Sequence, residues 1–519
     1  MSSSSANPLA PDASLRDWIA VASTMLGAFM AILDIQITNA SLTNIEGAIG
    51  ASSSEGSWIS TSYLIAEIIV IPLTTWLSGV VGLRRYLMIN AGLFILFSLA
   101  CAQASDLTEM ILFRAGQGLT GGVLIPVAVT VLRTRLPRHQ QMTGIAMFGF
   151  TSTFAPSIGP SLGGWLTDQF SWHYLFYLNI VPGIVTMVML FIALDPKPPC
   201  WSDFARGDWI GIPLMAAGLA SLTVVLEEGQ RLEWFSSPTI RMLSLVAVIG
   251  TGGFIARQIL SPRPFLDVRL LANPTIGSAC VISAILGGVS IGSVFIIPLF
   301  CGQIHNYNPE QIGWVVMWAG LPQLVMYPMI PFLIRKIDMR LLILTGILVF
   351  SASCFLNTRL SMNVGMSQLI LPQILRGIGQ PLFSGPLSQL ATTGLSREQV
   401  PHVSALFTML RNLGGSICIA TISTIVARRE QYHFSVISEH VTRNAVATQK
   451  RVDMLTEAQA NLGPVLAHHR ALAAIAEQVR QQATVMSFSD AFMIIGISMA
   501  VCVVGLTLLR QAPRPTVSP

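Results

Sequence analysis

The stretch WIAVASTMLGAFMAILDIQITNAS, Trp18–Ser41, decides the fold. It runs long enough to cross a bilayer core, which takes about 20 apolar residues in a helix, and it carries one charge, Asp34, well inside its apolar length. Backbone amides have no water to bond in hydrocarbon, so such a stretch must be helical. Similar stretches recur to the end of the chain. The 519 residues are 52% hydrophobic and only 11% charged, with a mean hydropathy of +0.64. Soluble domains carry about 25% charged residues. An all-α, polytopic membrane protein follows.

Apolar runs near 18–41, 58–81, 86–104, 108–132, 141–167, 173–194, 209–227, 239–260, 274–301, 310–334, 340–356, 366–392, 402–427 and 486–509 predict fourteen spans. Twelve result if 209–227 and 239–260 are re-entrant. With the N-terminus inside, inner loops hold Arg84, Arg85, Arg133, Arg135, Arg335 and Lys336 among seventeen basic residues, against Arg231, Arg241 and Arg359 in the short outer loops. The positive-inside rule then places both termini in the cytoplasm.

A net charge of +5, with basic residues in loops beside spans, gives no sign of nucleic-acid binding. The seven cysteines are scattered without a CxxC pair, so neither a metal site nor a disulfide framework is suggested. No cofactor is expected, and no enzyme motif such as HExxH or GxxxxGK[ST] occurs. An integral membrane enzyme is the rival class. Residues 1–14, rich in Ser, Ala and Pro, read as a disordered tail, and 511–519 as a second tail.

Leu112-Phe-Arg-Ala-Gly-Gln-Gly118 has a counterpart in Ile374-Leu-Arg-Gly-Ile-Gly-Gln380, each in an apolar span followed by a Gly/Pro-rich segment. Parallel repeats predict two six-helix bundles, 15–200 and 263–510, around a central site, with two extra linking helices at 201–262. Residues 428–485 break the pattern. They are polar and rich in Gln and Ala, and Val465, Leu472 and Val479 recur at helical spacing. A helical hairpin outside the membrane is expected, either a linker or a docking element for another protein.

Ionisable groups in mid-span are costly, about 2.5–3.5 kcal/mol each on insertion scales, and face a cavity or one another. Five stand out: Asp34, Glu67, Arg114, Arg376 and Arg411. Arg114 is the candidate counter-ion of Asp34, in a proton-exchanging pair or a fixed structural one. Glu67 reads as a second proton carrier, a contact for a cationic substrate or a packing residue. Arg376 and Arg411 suit carbonyls at a helix break or an anionic ligand. Asn39, Tyr63, Gln117 and Gln380 complete the expected cavity lining. The run Ala155-Pro-Ser-Ile-Gly-Pro-Ser-Leu-Gly-Gly164 places Pro156, Gly159, Pro160, Gly163 and Gly164 in one span, where small residues let helices touch and prolines bend them.

Together these residues resemble a family. Over roughly 15–510 the chain is similar to fourteen-span drug:proton antiporters of the major facilitator superfamily, in particular the EmrB-like group. The resemblance rests on Leu33-Asp34 to Asn39, on Arg114, Gln117, Gly118, Gly121 and Gly122, on Gly159, Pro160, Gly163 and Gly164, and on Trp172, Phe176 and Asn179. Glu233–Ser236, Pro264–Leu271 and Arg411–Gly415 add to it. It implies proton-driven multidrug export, a proton-coupling role for Arg114, and small-molecule drugs or metabolites as substrates. A dedicated exporter of one metabolite, fatty acid or aromatic acid is the alternative. It also implies a periplasmic adaptor and an outer-membrane channel as partners, docked through 428–485. One departure matters: the family's gate loop has an acid ahead of its basic cluster, whereas here Gly79, Val80 and Val81 precede Gly82, Arg84 and Arg85.

Overall fold

The computed structural model describes residues 12–506 except 138, 206, 262–263, 393–394, 397, 443–444 and 460–462. The tails expected at 1–14 and 511–519 therefore lie outside the described residues, save 12–14.

The first half contains α1 (Leu15–Ala40), α2 (Leu42–Ile49), α3 (Ser53–Val81), α4 (Leu83–Cys101), α5 (Leu107–Gly121), α6 (Leu124–Arg135), α7 (Gln141–Gln169), α8 (His173–Tyr177) and α9 (Ile180–Ala193). Three linking helices follow: α10 (Trp201–Ala205), α11 (Gly211–Glu228) and α12 (Pro238–Leu260). The second half contains α13 (Pro274–His305), α14 (Pro309–Lys336), α15 (Met339–Leu356), α16 (Met366–Thr392), α17 (Gln399–His440), α18 (Val446–Ala458) and α19 (Pro464–Leu506). No strand occurs among the described residues.

Local signals start the helices as the residues dictate. Ser14 and Asp17 close a capping box at α1, Asn308 and Gln311 another at α14, each satisfying orphan amides of the first turn. The Gly121-Gly122 pair divides the fourth apolar run into α5 and α6.

Within the first half α1 packs on α6, α7 and α9, and α5 on α3 and α4; within the second, α13 packs on α16, α17 and α19, and α15 on α16 and α19. The halves meet along two seams, α7 against α14 and α3 against α17. The linking pair covers the second seam. Met215, Leu219 and Phe254 share an apolar cluster with Ile68 and Ile71 of α3 and Leu406 and Met409 of α17.

Twelve helical segments among the described residues are long and apolar enough to cross a membrane. The two expected spans outside that set are α7 and α16, of 29 and 27 residues. Their interior roles explain their lower apolarity. Ser152, Thr153 and Ser157 are buried on α7, and Gln373, Arg376 and Gln380 on α16. The fourteen-span count is thus not established by hydropathy.

The described residues of 428–485 form the hairpin ends of α17 and α19 with α18 between them. At 1.5 Å per residue, helices of 42 and 43 residues run over about 60 Å, roughly twice a bilayer core. The apolar stripe differs from the expected one. Val465 and Leu472 are exposed, while Ala467, Ala471, Val479 and Ala483 are buried, with Ile475 half-buried between them. At the hairpin's root Asp490 takes hydrogen bonds from Arg429 Nε at 2.6 Å and lies 2.7 Å from His433 Nε2.

Candidate functional site

Three apolar helices deliver polar groups to one point in the first half. Asp34 comes from α1, Arg114 and Gln117 from successive turns of α5, and Asn179 from the residue before α9. Arg114 Nη1 stands 2.5 Å from Asp34 Oδ2, with both side chains fully buried. Asn179 Nδ2 donates to Asp34 Oδ1 at 2.6 Å and Gln117 Nε2 to the same oxygen at 3.3 Å. Every partner of Asp34 is a donor, the set that an ionised carboxylate accepts from. Gln117 is held in turn: its Oε1 accepts from Arg114 at 2.8 Å and its Nε2 donates to Ser98 Oγ of α4 at 2.7 Å. The guanidinium lies 4.5 Å from the Tyr63 ring centre and 6.0 Å from that of Phe176, a favourable face for a cation. Arg114 Nη2 has no partner among the described atoms.

The cluster is sealed inside the first half. None of Asp34, Arg114, Gln117 or Tyr63 lines either cavity between the halves. Asn39, expected in the cavity, is exposed near the end of α1, where its Oδ1 accepts from Ser60 Oγ at 2.5 Å.

The repeat shows its asymmetry here. Arg376, the counterpart of Arg114, donates from Nη1 to the Ser293 carbonyl of α13 at 2.9 Å. No carboxylate lies within ion-pair distance of it among the described residues. The buried arginine recurs, but its acid does not.

Glu67 joins the halves. Its Oε1 accepts from Asn412 Nδ2 of α17 at 3.0 Å, with the Glu67 side chain buried. The linking helix α11 braces the same seam farther along. Glu228 accepts from Ser57 Oγ of α3 at 2.8 Å and from Arg231 Nε at 2.5 Å, and Trp234 Nε1 donates to Thr424 Oγ1 of α17 at 3.2 Å. Glu233 and Trp234 both sit at positive φ, 58° and 50°, where non-glycine residues are uncommon.

Among the described residues, cavities open between the halves toward the end that carries the Arg133 and Arg335 loops, and two of them matter here. The smaller is lined by α7, α13, α16 and α17 and receives Gln380 and Arg411. The larger, about 560 Å³, lies between α1, α7 and α14. Its size suits a small-molecule site. Toward the opposite end α7 and α14 close up, with Gly320 against Ser157 and Gly313 against Ser161.

The Gly/Pro run of α7 lies against α1. A Cβ on Gly163 would stand 2.8 Å from the Ile37 carbonyl oxygen, and one on Gly159 2.5 Å from Gln36 Cβ. Pro156 and Pro160 remain inside the continuous helix, and Gly164 is buried. At the gate loop, Gly82 adopts φ +87° and a Cβ there would press on the Lys197 carbonyl at 3.0 Å. Arg84 stacks 4.2 Å from the Phe191 ring centre and Arg85 is exposed. Neither has an acidic partner within ion-pair distance among the described residues.

A helical protein of this length, with paired halves, a buried ion pair and cavities at their junction, has the make-up of a membrane transporter. The Major Facilitator Superfamily profile matches residues 24–418. The colistin resistance protein EmrB of Acinetobacter baumannii is 33% identical over 93% of this chain and 94% of its own length. The multidrug export protein EmrB of Escherichia coli K12 is 29% identical over 90% of each chain. The solved proton:xylose symporter XylE, 12% identical, superposes with a TM-score of 0.57 over 94% of this chain and 96% of its own, a likeness of fold alone. The chain belongs to the major facilitator superfamily, on its EmrB-like branch.

Proposed function

We propose that this chain is a proton-coupled antiporter that exports hydrophobic or amphipathic small molecules. It sits in a bacterial inner membrane with fourteen spans and both termini cytoplasmic, as the inner part of a tripartite pump. The observation that carries this reading is the sealed Asp34 cluster. A buried carboxylate joined to Arg114, Gln117 and Asn179 can exchange a proton only when its surroundings rearrange, which ties protonation to conformation. The relatives named for multidrug export and colistin resistance supply the direction and the cargo.

In this scheme the halves 15–200 and 263–510 rock about the α7–α14 and α3–α17 seams, with 201–262 riding on the second. Protonation of Asp34 releases Arg114, loosens α5 from α1 and lets the outer end part. Deprotonation restores the cluster and re-forms the cavities at the cytoplasmic end. Glu67 and Asn412 report that motion across the seam; Gln380 and Arg411 meet substrate in the smaller cavity. The α17–α19 hairpin docks the periplasmic adaptor, which leads to an outer-membrane channel. The Gly-rich contact of α7 with α1 keeps the pathway tight.

The test is substrate-dependent proton release from purified protein in weakly buffered solution, run over neutral, cationic and anionic compounds. Release by wild type and none by Asp34→Asn is expected. Substrate-driven release from the Asn variant at the wild-type level refutes the assignment.

A further inference from the structure

The second half repeats the buried arginine of the first without its acid, and the residues around that arginine form a pattern of their own. Asp34 is the twentieth residue of α1, which begins at Leu15, and Ser293 the twentieth of α13, which begins at Pro274. Arg114 reaches the first through its carboxylate, and Arg376 reaches the second through its backbone carbonyl. The repeat therefore sets a serine where the first half sets a charge. Arg376 is 3% exposed, and its Nε has no partner among the described atoms. Gln373, one turn back on the same face of α16, is 1% exposed, and neither its Nε2 nor its Oε1 has a partner there. Gln323 of α14, equally buried, gives its Nε2 to Gln380 Oε1 at 3.4 Å and keeps an unpartnered Oε1.

Buried polar groups are nearly always hydrogen-bonded, so three such side chains along one face of α16 mark a place built to hold a further polar species. Water pairs with amides but does not offset the guanidinium charge, whose burial is costly without a counter-charge. No carboxylate lies within ion-pair distance of Arg376 among the described residues. The place is also tight. Arg376 lines neither cavity, Gly377 lies against the Ala319 carbonyl, and Gly379 lies against the Phe350 backbone. Helices packed this closely leave no room for an organic acid.

We propose that the second half holds one small inorganic anion of the chloride class on Arg376 Nε and the Gln373 amide, as a resident counter-charge and not as cargo. It stands where Asp34 stands in the first half. Gln380, one turn beyond Arg376 and part of the smaller cavity's lining, gives the route in. The site goes beyond the export reading and holds whether or not protons are coupled to transport.

The experiment uses the full chain in neutral detergent, dialysed into sodium gluconate, with radiochloride as the probe. Saturable binding of one chloride per chain is expected. The melting temperature should climb as chloride replaces gluconate at constant ionic strength, as it does for any ligand that binds only the native state. Arg376→Gln loses both effects. Gln373→Leu keeps the charge and weakens chloride about tenfold or more, as loss of a hydrogen bond to a charged group does. Ser293→Asp supplies the carboxylate from the chain itself, so it binds no chloride and its melting temperature no longer responds to the anion. A wild type without saturable chloride binding overturns the site, and so does undiminished binding by Arg376→Gln or Ser293→Asp. If Arg376→Gln does not fold, Gln373→Leu decides, and an unchanged affinity in that variant overturns the site as well.

Discussion

Replacing Asp34 by Asn removes one charge from a pair that is wholly out of water. Arg114 then keeps its charge with Nη1 facing an amide at 2.5 Å and Nη2 already without a partner. Breaking a buried pair by removing one member costs about 3–5 kcal/mol, chiefly because the remaining ion is uncompensated. Tyr63 and Phe176 return only part of this, since a ring face offers a desolvated cation about 2 kcal/mol. D34N should therefore unfold at clearly lower temperature or denaturant than wild type. R114Q should do the same by stranding the carboxylate. The double variant D34N/R114Q leaves no buried charge and should recover much of the loss while remaining unable to couple protons. Thermal unfolding of the four proteins in one detergent, beside substrate-driven proton release, gives the full cycle. If D34N matches wild-type stability and the double variant is no better than the singles, the pair is not desolvated and the reasoning about Asp34 fails.

Other perturbations follow from the same geometry. E67A and N412A each break the bond across the α3–α17 seam; a side-chain hydrogen bond is worth about 0.5–1.5 kcal/mol, and E67A/N412A should slow export no more than either single change. Additive losses in a transport assay would place the two residues in separate roles. Gly163→Val drives a branched side chain into the Ile37 carbonyl, and overpacking of about 1–3 kcal/mol or more should cut folded yield, read by size-exclusion chromatography; normal yield counts against the backbone contact. D490A frees Arg429 and His433 at the hairpin root. Because Asp490 is 19% and Arg429 42% exposed, the loss is about 1 kcal/mol, seen as faster proteolysis between 441 and 463 with transport by the bundle retained; unchanged cleavage means the root is held by other contacts.

The helices and the Asp34–Arg114 pairing were legible because a charge in an apolar run is conspicuous and has few possible partners. Ser98 was not, since a serine in a span has many uses and only the fold brings it to Gln117. Asn179 could be quoted as part of a motif, yet its 2.6 Å bond to Asp34 needs the start of α9 to meet α1. The hairpin was legible as helix but not in its facing. The sequence draws the eye to Val465 and Leu472, whereas the packed hairpin buries Ala467 and Ala471. The large cavity gave no signal, because Thr143, Met147 and Phe150 look like any lipid-facing residues until α14 lies across them. Tyr63 and Asn39 are expected in the cavity lining, but α3 turns the first under Arg114 while the second is exposed near the end of α1.

The unbroken length of α17 and α19 has a mechanical meaning. α17 begins inside the second half and runs on into the hairpin with its one proline, Pro401, confined to the first turn, and α19 returns from the hairpin into the bundle. A straight helix bends little over such distances, so the pair acts as a lever fixed to the bundle. Over roughly 30 Å of overhang, a tilt of about 10° at the root sweeps the tip through about 5 Å. Anything gripping that tip would feel each reorientation of the second half as a stroke, with no separate hinge needed to pass the message outward.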